Sequence, residues 1–160
     1  MKFAPEITVA AVVEREGRFL LVEERIRQRL VLNQPAGHVE DRETLLEAVI
    51  RETQEETAWR FEPQALLGTY LWRNPDNGQT TMRFAFVGDV IAHDATQALD
   101  YPVVRSLWMS REDMLAAATR MRGPLVMRTV DDYCAGRRLP LDSVACLDLT
   151  TAPKVYAVQI

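Results

Sequence analysis

The segment Gly37–Trp59, GHVEDRETLLEAVIRETQEETAW, reads as a loop feeding one amphipathic helix whose charges sit where ordinary electrostatics disfavours them. At roughly 100° per residue, Leu46, Val49, Ile50 and Thr53 fall on one arc, wide enough for the buried stripe of a helix packed on a sheet. Glu52, Glu55 and Glu56 crowd the adjoining face at i,i+3 and i,i+4 spacing, where like charges cost about 0.2–0.5 kcal/mol per pair. They also occupy the end of the helix, where its dipole disfavours anions. Glu43, Glu47, Arg51 and Glu55 form a separate i,i+4 ridge that sets Arg51 between carboxylates. A divalent cation converts such repulsion into coordination, and Mg²⁺ suits it: the ion takes a few carboxylate oxygens, keeps several waters and completes its shell with substrate phosphates. The plainer alternative is a solvated acidic face.

The flanking sequence supplies a sheet for that helix. Ile7–Val13 and Arg18–Glu23 are rich in Val, Ile, Leu and Phe and are separated by Glu14-Arg15-Glu16-Gly17, which predicts a hairpin. Leu30–Gln34 reads as a short strand into the loop Pro35–Gly37. Leu66–Trp72 and Thr80–Ile91 flank Asn74-Pro75-Asp76-Asn77-Gly78, a dense turn signal that predicts a second hairpin. Ser106–Met109 reads as a last strand. Ser110 opens a Ser-x-x-Asp cap for a helix to about Ala118, and a further helix starts at Pro124, a residue suited to a first turn, and ends before Gly136. This α/β order predicts a three-layer α/β/α sandwich with a mixed sheet between helices.

Length and charge narrow the functional classes. A chain of 160 residues is sufficient for one domain with its own core. We read residues 1–150 as that domain and 151–160 as a C-terminal tail without periodic pattern, expected to be mobile. The net charge of −4 argues against a non-specific nucleic-acid or anionic-membrane surface while leaving room for a local basic pocket. Cys134 and Cys146 follow no paired spacing and read as reduced thiols. The start, MKFAPEITVAAVV, lacks the features of a signal peptide, and no apolar run approaches the ~20 residues of a membrane span, so the cytoplasm is the expected location.

The same segment resembles the Nudix box, G-x5-E-x7-R-E-U-x-E-E-x-G-U with U a bulky aliphatic residue, through Gly37, Glu43, Arg51, Glu52, Glu55 and Glu56. Two positions depart from it. Thr53 stands where an aliphatic residue is usual, so its buried hydroxyl needs a partner such as the carbonyl one turn back. Ala58 replaces the second glycine, and since alanine is strained in a left-handed conformation, a helical or extended exit is expected there. Asn33–His38, Thr8–Val13 and the RGPLV stretch with Tyr133, Gly136 and Pro140 further resemble the NudJ-type branch of that family. The resemblance implies the Nudix fold and a hydrolase dependent on Mg²⁺, with Mn²⁺ as a possible substitute. Its implied substrates are small molecules, namely nucleoside tri- and diphosphates and the hydroxymethylpyrimidine or thiamin diphosphates, cleaved to release inorganic phosphate by a monomer or homodimer. Gly37, through its carbonyl, and Glu52, Glu55 and Glu56 are then the metal ligands. Glu52, Arg51 and Glu55 form the catalytic set, with Glu52 as the proton acceptor and a base from the Asp94–Asp100 loop as the alternative.

Other candidates rest on residue type. Gln34 and His38 bracket the box loop and are candidate contacts to phosphate or base. Trp72 and Tyr70 either stack on a heteroaromatic ring or pack in the core. Arg83 points into the cleft or across the sheet; Arg25, Arg27 and Arg29 suit phosphates chemically but read as a solvated loop, and His93 reads as a surface residue. Two further readings stay open. One is a pyrophosphatase for nucleoside triphosphates or ADP-ribose, weakly suggested by Pro75. The other is a catalytically silent Nudix-fold binding module, suggested by Thr53 and Ala58 and opposed by the complete acidic set.

Overall fold

The structure, a computed structural model, describes residues 3–147. The tail 151–160 read from the sequence lies outside the described residues. Among the described residues eight strands run as β1 (Glu6–Val12), β2 (Glu14–Arg15), β3 (Arg18–Ile26), β4 (Arg29–Asn33), β5 (Ala36–His38), β6 (Trp59–Arg73), β7 (Thr80–His93) and β8 (Val103–Ser110). The helices are α1 (Leu45–Thr57), α2 (Arg111–Ala116) and α3 (Pro124–Cys134), with short 3₁₀ turns at Ala118–Arg120 and Leu141–Ser143.

β1 organises the molecule. It lies between β5, antiparallel, and β7, parallel, in a mixed sheet of order β5-β1-β7-β6. A second antiparallel sheet is built on β3, which pairs with β2, β4 and β8. The hairpin expected between Ile7–Val13 and Arg18–Glu23 therefore does not form as such. β1 leaves for the other sheet at Val13, only the two residues of β2 turn back on β3, and a bond from Leu20 N–H to the Val13 carbonyl (3.0 Å) spans the switch. Alternation along β1 sends Val9, Ala11 and Val13 towards Ala48 and Val49 of α1, and Val12 towards Leu125, Val126 and Val130 of α3. Burial on both faces explains why this strand reads as an unbroken apolar run. The second hairpin forms as expected but is longer, because β6 starts at Trp59, directly after α1.

α1 begins later than the acidic ridge implies. Thr44 caps it, accepting from Glu47 N–H at 3.2 Å, while the Glu47 carboxylate accepts from Thr44 N–H at 2.8 Å. This reciprocal capping box places Glu43 outside the helix and gives Glu47 a role at the helix start. The apolar stripe is also rotated from its expected position: Ala48, Val49, Thr53, Glu56 and Thr57 are buried, whereas Ile50 is exposed. The Thr53 hydroxyl donates to the Val49 carbonyl at 2.7 Å, so the polar substitution on the stripe is satisfied one turn back. The exit corrects the expectation for Ala58, which is left-handed (φ 58°, ψ 12°) and buried. Its N–H caps Gln54, and the Asp94–Asp100 loop serves the same helix end: Asp94 N–H donates to the Ala58 carbonyl and Asp100 N–H to that of Glu55.

Candidate active site

A cleft of about 570 Å³ opens between the box loop, the β6–β7 hairpin and the start of α3. Gly37, Glu52 and Glu56 form one wall, Glu24, Arg83 and Arg122 are also present, and Trp72, Asn74 and Asn77 belong to the hairpin side. β5 brings Gly37 against α1 so closely that a Cβ there would overlap the Glu52 carboxylate. A side chain at this position would therefore push the Glu52 carboxylate out of its place.

The carboxylates on α1 live in different environments. Arg51 donates to Glu43 (3.0 and 2.6 Å), Glu52 (2.8 Å), Glu55 (3.0 Å) and the His38 carbonyl (3.0 Å). It thus ties the loop to the helix. Glu56 has no ion pair among the described residues; its carboxylate accepts from Ala36 N–H at 2.8 Å. Burial, outweighing that hydrogen bond, pushes the Glu56 carboxyl up to about 8. Burial also raises Glu52, against the opposing pull of Arg51. Buried carboxylates with raised proton affinity and too little cationic compensation are a frequent mark of a functional site.

The other predicted site residues divide. Trp72 and Arg83 line the cleft with Gly37, Glu52 and Glu56, and His38 stands exposed at its rim with Nε2 3.4 Å from Glu6. Glu55 lies next to this group on the Arg51 side and outside the cleft lining. Gln34 is a correction: its buried amide donates to the Val126 carbonyl and Thr129 Oγ1, both at 2.8 Å, so it anchors α3 behind the cleft. Asn33, its neighbour, takes the cleft position because alternate side chains on a strand face opposite ways. Tyr70 also belongs to the core, donating its hydroxyl to Asp132 at 2.9 Å. Arg25, Arg27 and Arg29 are exposed and His93 packs against Trp59. No acid of the Asp94–Asp100 loop lines the cleft.

Sequence reading overlooked Glu24. This residue is 1% exposed and paired with Arg122 at 2.6 Å. Two consecutive glutamates inside the apolar strand RFLLVEE are the available signal, because a buried charge requires a partner. Glu23 finds Arg105 at 2.9 Å and also pairs with Arg120. The contacts of its carboxylate with Arg105, and then Arg120, hold it below the usual range.

Among the described residues no three His, Cys, Asp or Glu side chains are gathered closely enough to form a metal cage by themselves, so a hard cation here would rely on two carboxylates, backbone oxygen and substrate phosphates. Glu52 and Glu56 offer oxygen ligands with incomplete charge compensation beside the Gly37 backbone, while Arg51 holds Glu55 within one helical turn.

Residues 3–129 match the NUDIX domain family. The chain belongs to the Nudix hydrolases. Phosphatase NudJ of Escherichia coli K12 is 40% identical over 142 residues, covering 89% of this chain and 92% of its own length. A NUDIX hydrolase from Nitrosomonas europaea superposes with a TM-score of 0.88 at 44% identity, covering 89% of this chain and 97% of that one. The NUDIX domain of Shewanella oneidensis NrtR, solved with ADP ribose, shares the fold at a TM-score of 0.64 and 19% identity, with coverage of 84% and 90%. No described helix is long and apolar enough to cross a membrane.

Proposed function

We propose that this Nudix hydrolase removes the terminal phosphoryl group from nucleoside di- and triphosphates and from hydroxymethylpyrimidine or thiamin diphosphate, releasing orthophosphate. The observation that carries the reading is the undercompensated pair Glu52 and Glu56 on a cleft that also holds Arg83 and Arg122. A phosphoanhydride brings negative charge to the arginines, and Mg²⁺ held by Glu52, Glu55, Glu56 and the Gly37 carbonyl supplies charge neutralisation and acidifies water when bound.

The remaining work belongs to the side chains. Burial raises the proton affinity of Glu52, which suits an oxygen that takes a proton from the attacking water. The water oxygen bonds to the terminal phosphorus as the bridging P–O bond breaks, and its electrons leave with the shortened nucleotide or alcohol phosphate. Arg51 keeps Glu52 and Glu55 in place from behind. Trp72 offers a face to the ring of the substrate, with the carboxamides of Asn74 and Asn77 nearby.

Hydrolysis of a nucleoside triphosphate in ¹⁸O-water with Mg²⁺ tests the point of attack. Label is expected in orthophosphate. Label in the nucleoside monophosphate, with unlabelled pyrophosphate released, would transfer the protein to the pyrophosphatase class.

A further inference from the structure

Arg83 is an unusual cation for an acidic cleft. It lies on β7, opposite Thr8 of β1, and among the described residues its one side-chain hydrogen bond is a long contact from Nε to Thr8 Oγ1 at 3.5 Å. No carboxylate lies within ion-pair distance among the described residues, although Arg51, Arg105, Arg120 and Arg122 all have such partners. Burial, and next the nearby Arg122 charge, pull Arg83 down to about 10, while Glu24 and Glu56 oppose them. Two guanidinium groups thus share a cleft in which one is committed to Glu24 and the other is unpaired.

A third donor group faces the same place. α3 starts at Pro124 behind Gly123, which provides no side-chain cap, and Gly123, Leu125 and Val126 all line the cleft. The first N–H groups of a helix lack intrahelical partners and attract anions; at this start Pro124 has no N–H and that of Val126 reaches back to the Gly123 carbonyl at 3.3 Å, so the backbone donors here are those of Gly123 and Leu125. Arg122 immediately precedes this start.

We propose that Arg83, Arg122 and the uncapped start of α3 form a phosphoryl-binding site on the cleft floor that receives the terminal phosphoryl group of the substrate. Strand register gives its orientation. Trp72 pairs with Thr81 on the hairpin, two residues nearer its tip than Arg83, a separation of about 7 Å along a strand. The ring end of a substrate therefore lies towards Trp72, Asn74 and Asn77, and its phosphate chain runs inward to Arg83. The inference rests on the terminal-attack reading, for which it supplies a physical cause: the inner end of the chain is held beside Glu56.

Arg83→Met is the informative variant because it strands no ion-paired carboxylate. Inhibition by orthophosphate and substrate KM would be measured with Mg²⁺ for wild type, Arg83→Met and Arg83→Lys, alongside melting temperatures. The proposal expects the orthophosphate inhibition constant and KM to rise at least about tenfold in Arg83→Met, a charge-assisted bond's worth, with partial recovery in Arg83→Lys. Unchanged phosphate inhibition and KM, with only a lower melting temperature, would make Arg83 a mere counter-charge for Glu24 and Glu56 and overturn the site. The ¹⁸O experiment separates the two ideas: labelled orthophosphate with unchanged phosphate affinity in Arg83→Met rejects the site and keeps the terminal-attack reading. Label in the monophosphate rejects that reading and this orientation together.

Discussion

Two groups of acids, one around α1 and one on β3, are held in opposite ways. On β3, Glu23 meets Arg105 and Arg120, and Glu24 meets Arg122, so each acid has its own counter-charge. Around α1, a single Arg51 serves Glu43 just before the helix and Glu52 and Glu55 on it, and among the described residues Glu56 receives only a backbone N–H. The consequence appears in proton affinity: Glu23 is lowered by its arginines, whereas Glu52 and Glu56 are raised by burial. The β3 acids are built to be stable as they stand. The α1 acids are not balanced in this way, which is why the proposed metal is assigned to them.

Substitution exposes that difference most strongly in activity. Glu52→Gln and Glu56→Gln should each lower kcat with Mg²⁺ by at least ~10²-fold, the size of losing a ligand or base. Neither should lower the melting temperature in metal-free buffer, because the amide keeps the shape and removes repulsion. On β3 the stability expectation reverses: Arg122→Met leaves Glu24 buried and unpaired, at a cost of about 2–3 kcal/mol, below the full buried-pair value because the cleft admits water. Near-wild-type turnover in the glutamine variants would remove the α1 acids from the mechanism and erase the contrast.

Acid–base linkage sharpens it next. A carboxyl raised in the folded state is still protonated when its unfolded counterpart has ionised, so the unfolded state gains as pH rises. Glu56, moved from 4.5 to about 8, makes the metal-free protein lose stability between those values, by an order of a few kcal/mol at most. Glu23, lowered instead, contributes stability above the ordinary glutamate range that is lost as pH falls through its folded value. Chemical denaturation of metal-free protein from pH 5 to pH 8.5 should show declining stability in wild type and a flatter profile in Glu56→Gln. Identical slopes in the two proteins would mean that Glu56 ionises in the fold as freely as in solution.

The unequal treatment of the two groups also explains what could be read beforehand. The α1 acids were legible because their fault is local: helical spacing alone places Glu52 against Glu55 and Glu56. Arg51 was legible for the same reason, and the helices after Ser110 and Pro124 declare themselves through caps and first-turn chemistry. Glu24 and Arg122 were not legible as a pair, because the contact joins residues almost a hundred positions apart and exists only once β3 and the start of α3 meet. Gln34 failed for a related reason: position in the box loop does not reveal which face of the sheet a side chain takes. The β1–β3 hairpin was misread because adjacent strands with a turn between them normally pair, whereas here Val13 sends them to different sheets.

The smallest effect concerns the end of α1, which holds Glu55 and Glu56 in position. The left-handed backbone at Ala58 costs an alanine about 1–2 kcal/mol. Replacement by glycine relieves that strain but adds about 0.5–1 kcal/mol of backbone entropy and removes a buried methyl worth about 0.8 kcal/mol. The terms nearly cancel, and three hydrogen bonds continue to fix this end: Ala58 N–H to Gln54, Asp94 N–H to Ala58 and Asp100 N–H to Glu55. Ala58→Gly should therefore shift the melting temperature by no more than about 3 °C in either direction and leave kcat unchanged. A larger rise would show that strain dominates and that the α1 acids sit on a stressed support; a larger fall would show that the packed methyl dominates. A change in kcat at constant stability would mean that the exit sets the position of Glu56, making this alanine part of what distinguishes the uncompensated acids from the paired ones.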